Sequence, residues 1–318
     1  MKKLCSRLSG IGALALLCMS LPAFAEIDLS GDWAARVHED NQERVSGPAQ
    51  VEYWGLPIND QARKRALAYS PSQLSILERQ CLYYTPYYWL VGPFGGKIWA
   101  DYDRVTGAPV AWNISAVVDR AQLVIWMDGR PHPGPNALHT DSGFSTGRWE
   151  GNTLVVTTTH MKEGYLRRNG VPVSDQATLT MYITRHGTDT LTVTGMIDDP
   201  VYLTEPMILT HMLKLNPELN VRTISATCTP DVEIPDVDNG KVPHILPGQN
   251  TLVGDLKALY HVPVPAILGG ANTMYPEYRA IIKEEGYTPP EACTRYCCGW
   301  GSLPAPNESV FLQCKGGL

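Results

Sequence analysis

The chain has 318 residues, with 26 Lys+Arg against 32 Asp+Glu for a formal net charge of -6, and 25 prolines and 28 glycines scattered between short apolar segments. The acidic balance argues against a general phosphate-backbone binder, so nucleic acid is not an expected partner. The length allows one large β domain or two modest domains, and the turn-forming residues disfavour a helical bundle.

Met1 to Glu26 carries the three parts of an export signal: Lys2, Lys3 and Arg7, then the apolar run Ile11 to Met19, then Ala23-Phe24-Ala25. Residues 1–25 are therefore read as targeting, and the mature chain is expected in the periplasm or outside the cell. The apolar run is short for a bilayer crossing and no later run is longer, so no transmembrane segment is expected. Gly31-x-Trp33 follows, a pattern that resembles small ligand-binding β barrels although three residues do not specify a fold. The segment 26–96 should hold two short helices. Asn59 or Asp60 can cap QARKRALAY, and Ser70-Pro71 can open SQLSILERQ. Cys81 to Gly96, CLYYTPYYWLVGPFGG, reads as a strand or extended segment whose rings pack a core or line a ligand wall.

From Lys97 onward, short segments rich in β-branched and aromatic residues alternate with turns: KIWADYDRVTG, APVAWNISAVVD, AQLVIWMDGR, NTLVVTTTHM, ATLTMYITRH, DTLTVTGMID and LTHMLKLN. GRWEGNT and RHGTDT look like hairpin connections, and the intervals are too short for helical crossovers. The expectation is a mainly β protein, an antiparallel barrel-like or strongly curved sheet over 97–230, with a β-sandwich as the alternative. Residues 231–318 should form a proline-rich arm, with a short helix at Pro276 to Gly286, and a cysteine-rich C-terminal cap. Cys81, Cys228, Cys293, Cys297, Cys298 and Cys314 remain after the signal and suit disulfides outside the cytoplasm, with the pairing open.

Ile125 to Val156, IWMDGRPHPGPNALHTDSGFSTGRWEGNTLVV, resembles a large group of uncharacterised exported bacterial proteins with an Asp-Gly-Arg-Pro-His-Pro run followed by Gly-x-Ser-x-Gly-x-Trp-Glu-Gly. The resemblance continues through HMKEGYLRRNGVPVSD and MIDDPVYLTEP to Cys228 and implies no particular activity. Relatives carry histidine where this chain has Phe144, Val171 and Val173, so a family site built on those imidazoles would be lost or rebuilt here.

Several chemistries compete for this stretch. Gly143-Phe144-Ser145-Thr146-Gly147 matches a nucleophile-elbow spacing, but it runs into another β segment instead of a helix, so Ser145 is expected to be a turn hydroxyl bonded to nearby backbone. His132, His139 and His160, with Asp128 or Asp141, could hold zinc or another transition metal, yet no HExxH spacing supports it, and no cofactor is the first expectation. Acid–base chemistry is more attractive, with His139 beside Asp141 as the proton-transfer pair and Arg130 holding a carboxylate or an oxyanion. A small organic or glycosidic ligand would then meet Tyr84, Tyr87, Tyr88, Trp89, His132, Arg168, Asp199, Tyr202 and Glu205. A structural network is the rival, in which Asp128 closes a turn and Arg130 pairs with Asp199 or Glu205. Function is thus expected to be acid–base lysis, isomerisation or hydrolysis, with binding of an apolar or aromatic ligand, or an envelope-interaction role, as alternatives; a protein partner is unspecified.

Overall fold

A computed structural model describes residues 27–36, 53, 55–69, 86–91, 95–116, 122–166, 169–219, 263–284 and a few positions between 251 and 261. The second N-terminal helix over SQLSILERQ and all six cysteines of the expected disulfides lie outside the described residues.

Nine strands close into a barrel: β1 (Gly31–Ala35), β2 (Gly96–Tyr102), β3 (Pro109–Ala116), β4 (Gln122–Trp126), β5 (Phe144–Glu150), β6 (Thr153–Thr159), β9 (Thr178–His186), β10 (Thr190–Asp198) and β11 (Met207–Leu215). Two-residue strands β7 (Gly164–Tyr165) and β8 (Pro172–Val173) form a separate ladder. Around the barrel the order is β1-β11-β10-β9-β6-β5-β4-β3-β2, and β1 closes it by pairing with both β11 and β2. Closure leaves the sheet no unpaired edge and settles the choice between barrel and sandwich. The strand that closes it, β1, comes from the segment expected to precede the β core.

The alternation read in the sequence fixes which side chains enter. Along β10, Leu191, Val193 and Ile197 are fully buried while Thr190, Thr192 and Thr194 face outward, and β9 repeats the pattern with Leu179, Met181 and Ile183 inside. Trp33, Trp112, Ile98, Ile125 and Leu154 complete the interior from the remaining strands.

One pairing departs from the antiparallel rule. Strand β4 pairs parallel with β5, Ile125 opposite Ser145 and Trp126 opposite Thr146. The long connection 127–143 makes this possible, because it carries the chain back before β5 begins. GRWEGNT also contributes more strand than turn, since β5 runs through Glu150 and only Gly151 and Asn152 separate it from β6.

Among the described residues, four α-helices accompany the barrel. In α1 (Asp60–Leu67), Asn59 is the N-cap and its side chain accepts from the Ala62 amide at 3.0 Å, satisfying an orphan donor of the first turn. Ala62 and Ala66 bury its inner stripe. The aromatic segment, expected as extended, turns helical in α2 (Tyr88–Val91). Short α3 (Val264–Ile267) is joined to α1 by the Arg63 side chain, whose Nε donates to the Leu268 carbonyl. Helix α4 (Pro276–Glu284) begins with proline, as its sequence suggests. No helix among the described residues is long and apolar enough to cross a membrane.

Candidate functional site

The connection 127–143 lies along the outside of the barrel and is fastened there by histidines. Strand alternation places Ser145 inward and Phe144 and Thr146 outward on β5, and Thr158 inward and Thr159 outward on β6. His132 stands between the two outward hydroxyls: its Nδ1 lies 2.8 Å from Thr159 Oγ1 and its Nε2 2.8 Å from Thr146 Oγ1. Its ring meets Phe144 edge to face at 5.3 Å, so the phenyl ring supports the histidine.

The tautomers follow from the carbonyls, which only accept. His160 Nε2 donates to Gly134 O at 2.9 Å, so in its neutral form Nδ1 is an acceptor, and the Thr159 hydroxyl 2.8 Å away donates to it. Thr159 Oγ1 then accepts from His132 Nδ1, and the Thr146 hydroxyl donates to His132 Nε2. A single directed chain of hydrogen bonds runs from β5 through two imidazoles to the loop. Burial, aided by the nearby His160, holds the His132 imidazole below the usual histidine range, which favours the neutral ring this chain requires.

His139 and Asp141 lie two residues apart around Thr140, which forms an isolated parallel bridge with Met161. The Thr140 amide donates to His160 O at 2.9 Å and the Lys162 amide donates to Thr140 O at 2.9 Å, while Met161 is fully buried beneath them. The bridge sets His139 against His160, ring centroids 5.1 Å apart, and Asp141 against Lys162, with Nζ 3.2 Å from Oδ1. His139 Nδ1 donates to Met161 O at 2.9 Å, which leaves the lone pair of the neutral ring on Nε2. His160 holds its place with φ 57, a left-handed backbone conformation uncommon outside glycine.

The other expected site residues go elsewhere. Arg130 does not join Asp199 or Glu205: its Nε donates to Asp128 at 2.9 and 3.0 Å and its Nη2 at 2.5 Å, while its guanidinium lies 3.7 Å from the centre of the outward Trp126 ring. These Arg130 hydrogen bonds hold the Asp128 carboxyl below the usual carboxylate range. Both residues are exposed.

Asp199 is buried in the β10–β11 turn, where its carboxylate accepts from the Ser174 hydroxyl and amide, both at 2.7 Å, and from the Val201 amide at 2.9 Å. Tyr202 is also buried, and its hydroxyl accepts from Arg65, which pairs in turn with Glu163. Glu205 is exposed. Tyr87 and Trp89 are buried against the barrel interior, where the Trp89 carbonyl lies 3.2 Å from His211 Nδ1 on β11. Tyr88 is a residue of α2, and Tyr84 and Arg168 lie outside the described residues.

His139 and Asp141 therefore flank one bridge, His139 bonded to the Met161 carbonyl and Asp141 paired with Lys162, and His132 is linked to His139 through Thr159 and His160, whereas Arg130 and the aromatic residues occupy other places. Sequence reasoning did not single out Lys162, Thr146 or Thr159 as partners. The threonine run on β6 signals only strand propensity in the sequence, and the placement of the loop across it gives those hydroxyls their role. Ser145 is not a turn hydroxyl either; it lies within β5 and its Oγ is 2.8 Å from Thr158 Oγ1 inside the barrel. Among the described residues, no group of three or more histidine, cysteine, aspartate or glutamate side chains is arranged to hold a metal ion. The chain matches no family model, no curated protein and no solved structure.

Proposed function

We propose that this is an exported enzyme that performs acid–base chemistry on a small organic ligand, with His139 as the proton-transfer group. The supporting observation is the His139 ring, whose Nδ1 is committed to the Met161 carbonyl so that Nε2 carries the available lone pair. In the proposed step Nε2 takes a proton, from a ligand carbon in isomerisation or lysis and from the attacking water in hydrolysis, and then gives it back to the ligand carbon in isomerisation or to the leaving group in lysis and hydrolysis. The half-exposed ammonium of Lys162, kept beside Asp141, supplies positive charge to the negative centre that forms as the proton leaves. His160 fixes the position of this group through the ring contact and its own bond to Gly134.

The test presents the mature protein with small keto acids, uronate-containing oligosaccharides and aryl esters, followed by NMR. Turnover of at least one probe is expected, falling by about 10²- to 10⁴-fold in His139→Ala, the range typical of a positioned acid–base group. Lys162→Met should lower kcat while leaving His139 in place. No turnover across the panel, or turnover unchanged in His139→Ala, rejects the assignment.

A second reading, recognition without turnover, draws support from His132 and His160, whose four ring nitrogens are all engaged in holding the loop. Probe binding by NMR line broadening with no product distinguishes it.

A further inference from the structure

We propose that the outer wall formed by β6, β9, β10 and β11 binds a neutral polyhydroxylated chain, a glycan of a few sugar units. Strand register carries three outward rows straight across these four strands, from Thr157 to Ile208, from Val155 to Thr210 and from Thr153 to Met212. Seven of the twelve positions are threonine and none is charged. Solvent faces commonly carry about 25–35% charged residues, so roughly three or four would be expected over a field of this size. The chain as a whole is acidic, which makes the uncharged field a local property and not a reflection of composition.

The chemistry of the field is specific. Each threonine hydroxyl both donates and accepts, as a sugar hydroxyl does. Pairs are already in register, with Thr153 and Thr184 oxygens 2.8 Å apart and Thr194 and Thr210 oxygens 2.9 Å apart. Tyr182, 40% exposed, stands in the middle row and Ile208, 61% exposed, at the end of another. They offer apolar surface for the C–H faces of a sugar ring beside hydroxyls for its rim. Only Val155 among the twelve is buried. At the margins Arg148 pairs with Glu150 at 2.6 Å and Lys214 lies 3.5 Å from Asp189, while Arg36 Nη1 donates to Met212 Sδ at 3.5 Å and exposed Asp198 follows Met196 on β10.

Size selects among occupants. Four strands about 4.8 Å apart, with three alternate residues about 6.8 Å apart along each, cover about 19 by 20 Å, or about 400 Å². A stable protein partner covers about 800 Å² on each side, about twice as much, so a second copy of this chain is a poor fit and a short glycan segment a good one. The absence of charge selects a neutral polymer over an anionic one.

The experiment is native affinity electrophoresis of the mature protein in gels containing dextran, soluble β-1,3-glucan or xyloglucan, with alginate as the anionic comparison. Retardation is expected in at least one neutral gel and not in alginate. Thr194→Glu and Tyr182→Ala should each weaken it at least tenfold, while Val105→Glu, on the distant β2–β3 turn, should not. If Thr194→Glu fails to fold, as circular dichroism would show, Tyr182→Ala decides. The proposal is overturned by no retardation in any neutral gel, by equal retardation in alginate, or by parental binding in folded Thr194→Glu and Tyr182→Ala. It is also overturned by a dimer in sedimentation that Thr194→Glu dissociates. His139→Ala leaves this binding unchanged, so the outcome is separate from that of the proposed enzymatic site.

Discussion

His132 and His160 are coupled through one hydroxyl: Thr159 Oγ1 lies 2.8 Å from the Nδ1 of each. That hydroxyl accepts from the one ring and donates to the other, so removing it breaks both bonds at once. The crossover loop and the β5–β6 wall are therefore joined by a unit whose parts are not independent, and loss of the shared atom should exceed the loss of a single contact.

Thr159→Val keeps the β-branched shape and removes that atom. Each lost intramolecular hydrogen bond costs on the order of 1 kcal/mol, so the variant should lose about 2 kcal/mol in urea unfolding. Limited proteolysis should cut within 128–143 sooner than in the parent. Thr159→Ser, which restores the hydroxyl, should recover most of both losses. Equal stability of parent and Thr159→Val would mean that the loop is held by other contacts.

His132 makes part of the stability dependent on pH. Burial comes first and the neighbouring His160 second in lowering its pKa from the ordinary 6.5. Below that value the unfolded chain binds the proton more readily than the folded one, so folding is disfavoured as acid is added. The contribution is complete above about 6.5 and is lost as pH falls through the lowered, folded-state value. Chemical denaturation at pH 7.5 and at steps down to pH 5 should show the parent losing stability faster than His132→Gln. Parallel curves would remove His132 as the source.

How far the sequence discloses this architecture depends on the range of the interaction. Alternation along residues 97–215 marks the strands, because inward and outward positions are a local property of each segment. The Asn59 cap is local too and stands one residue before α1, as its side chain dictates. Whether β1 closes a barrel, whether β4 and β5 run parallel, and which acid Arg130 meets are decided by segments that come together only on folding. Arg130 illustrates the point: a bidentate partner two residues away in Asp128 and a ring below in Trp126 satisfy it before any distant carboxylate is needed. Asp141 is the converse, since its neighbour His139 is evident in the chain whereas its ion-pair partner Lys162 comes from the far side of the Thr140–Met161 bridge.

The aromatic segment yields the sharpest test of the fold. Gly195 faces the interior of β10 against Leu90 of α2, and a Cβ added there would stand 1.8 Å from Leu90 Cδ1. Gly195→Ala should therefore be destabilising through overpacking, by about 1–3 kcal/mol, although alanine normally suits a strand better than glycine does. Leu90→Ala should cost about 2–5 kcal/mol by leaving a cavity among buried neighbours. The double variant discriminates, because the new methyl occupies space that the truncated leucine vacates, and its loss should be smaller than the two single losses added together by more than 0.5 kcal/mol. Measured by guanidinium unfolding, simple additivity would show that α2 does not press on the inner face of β10, and the aromatic residues flanking Leu90 would lose their place in the core.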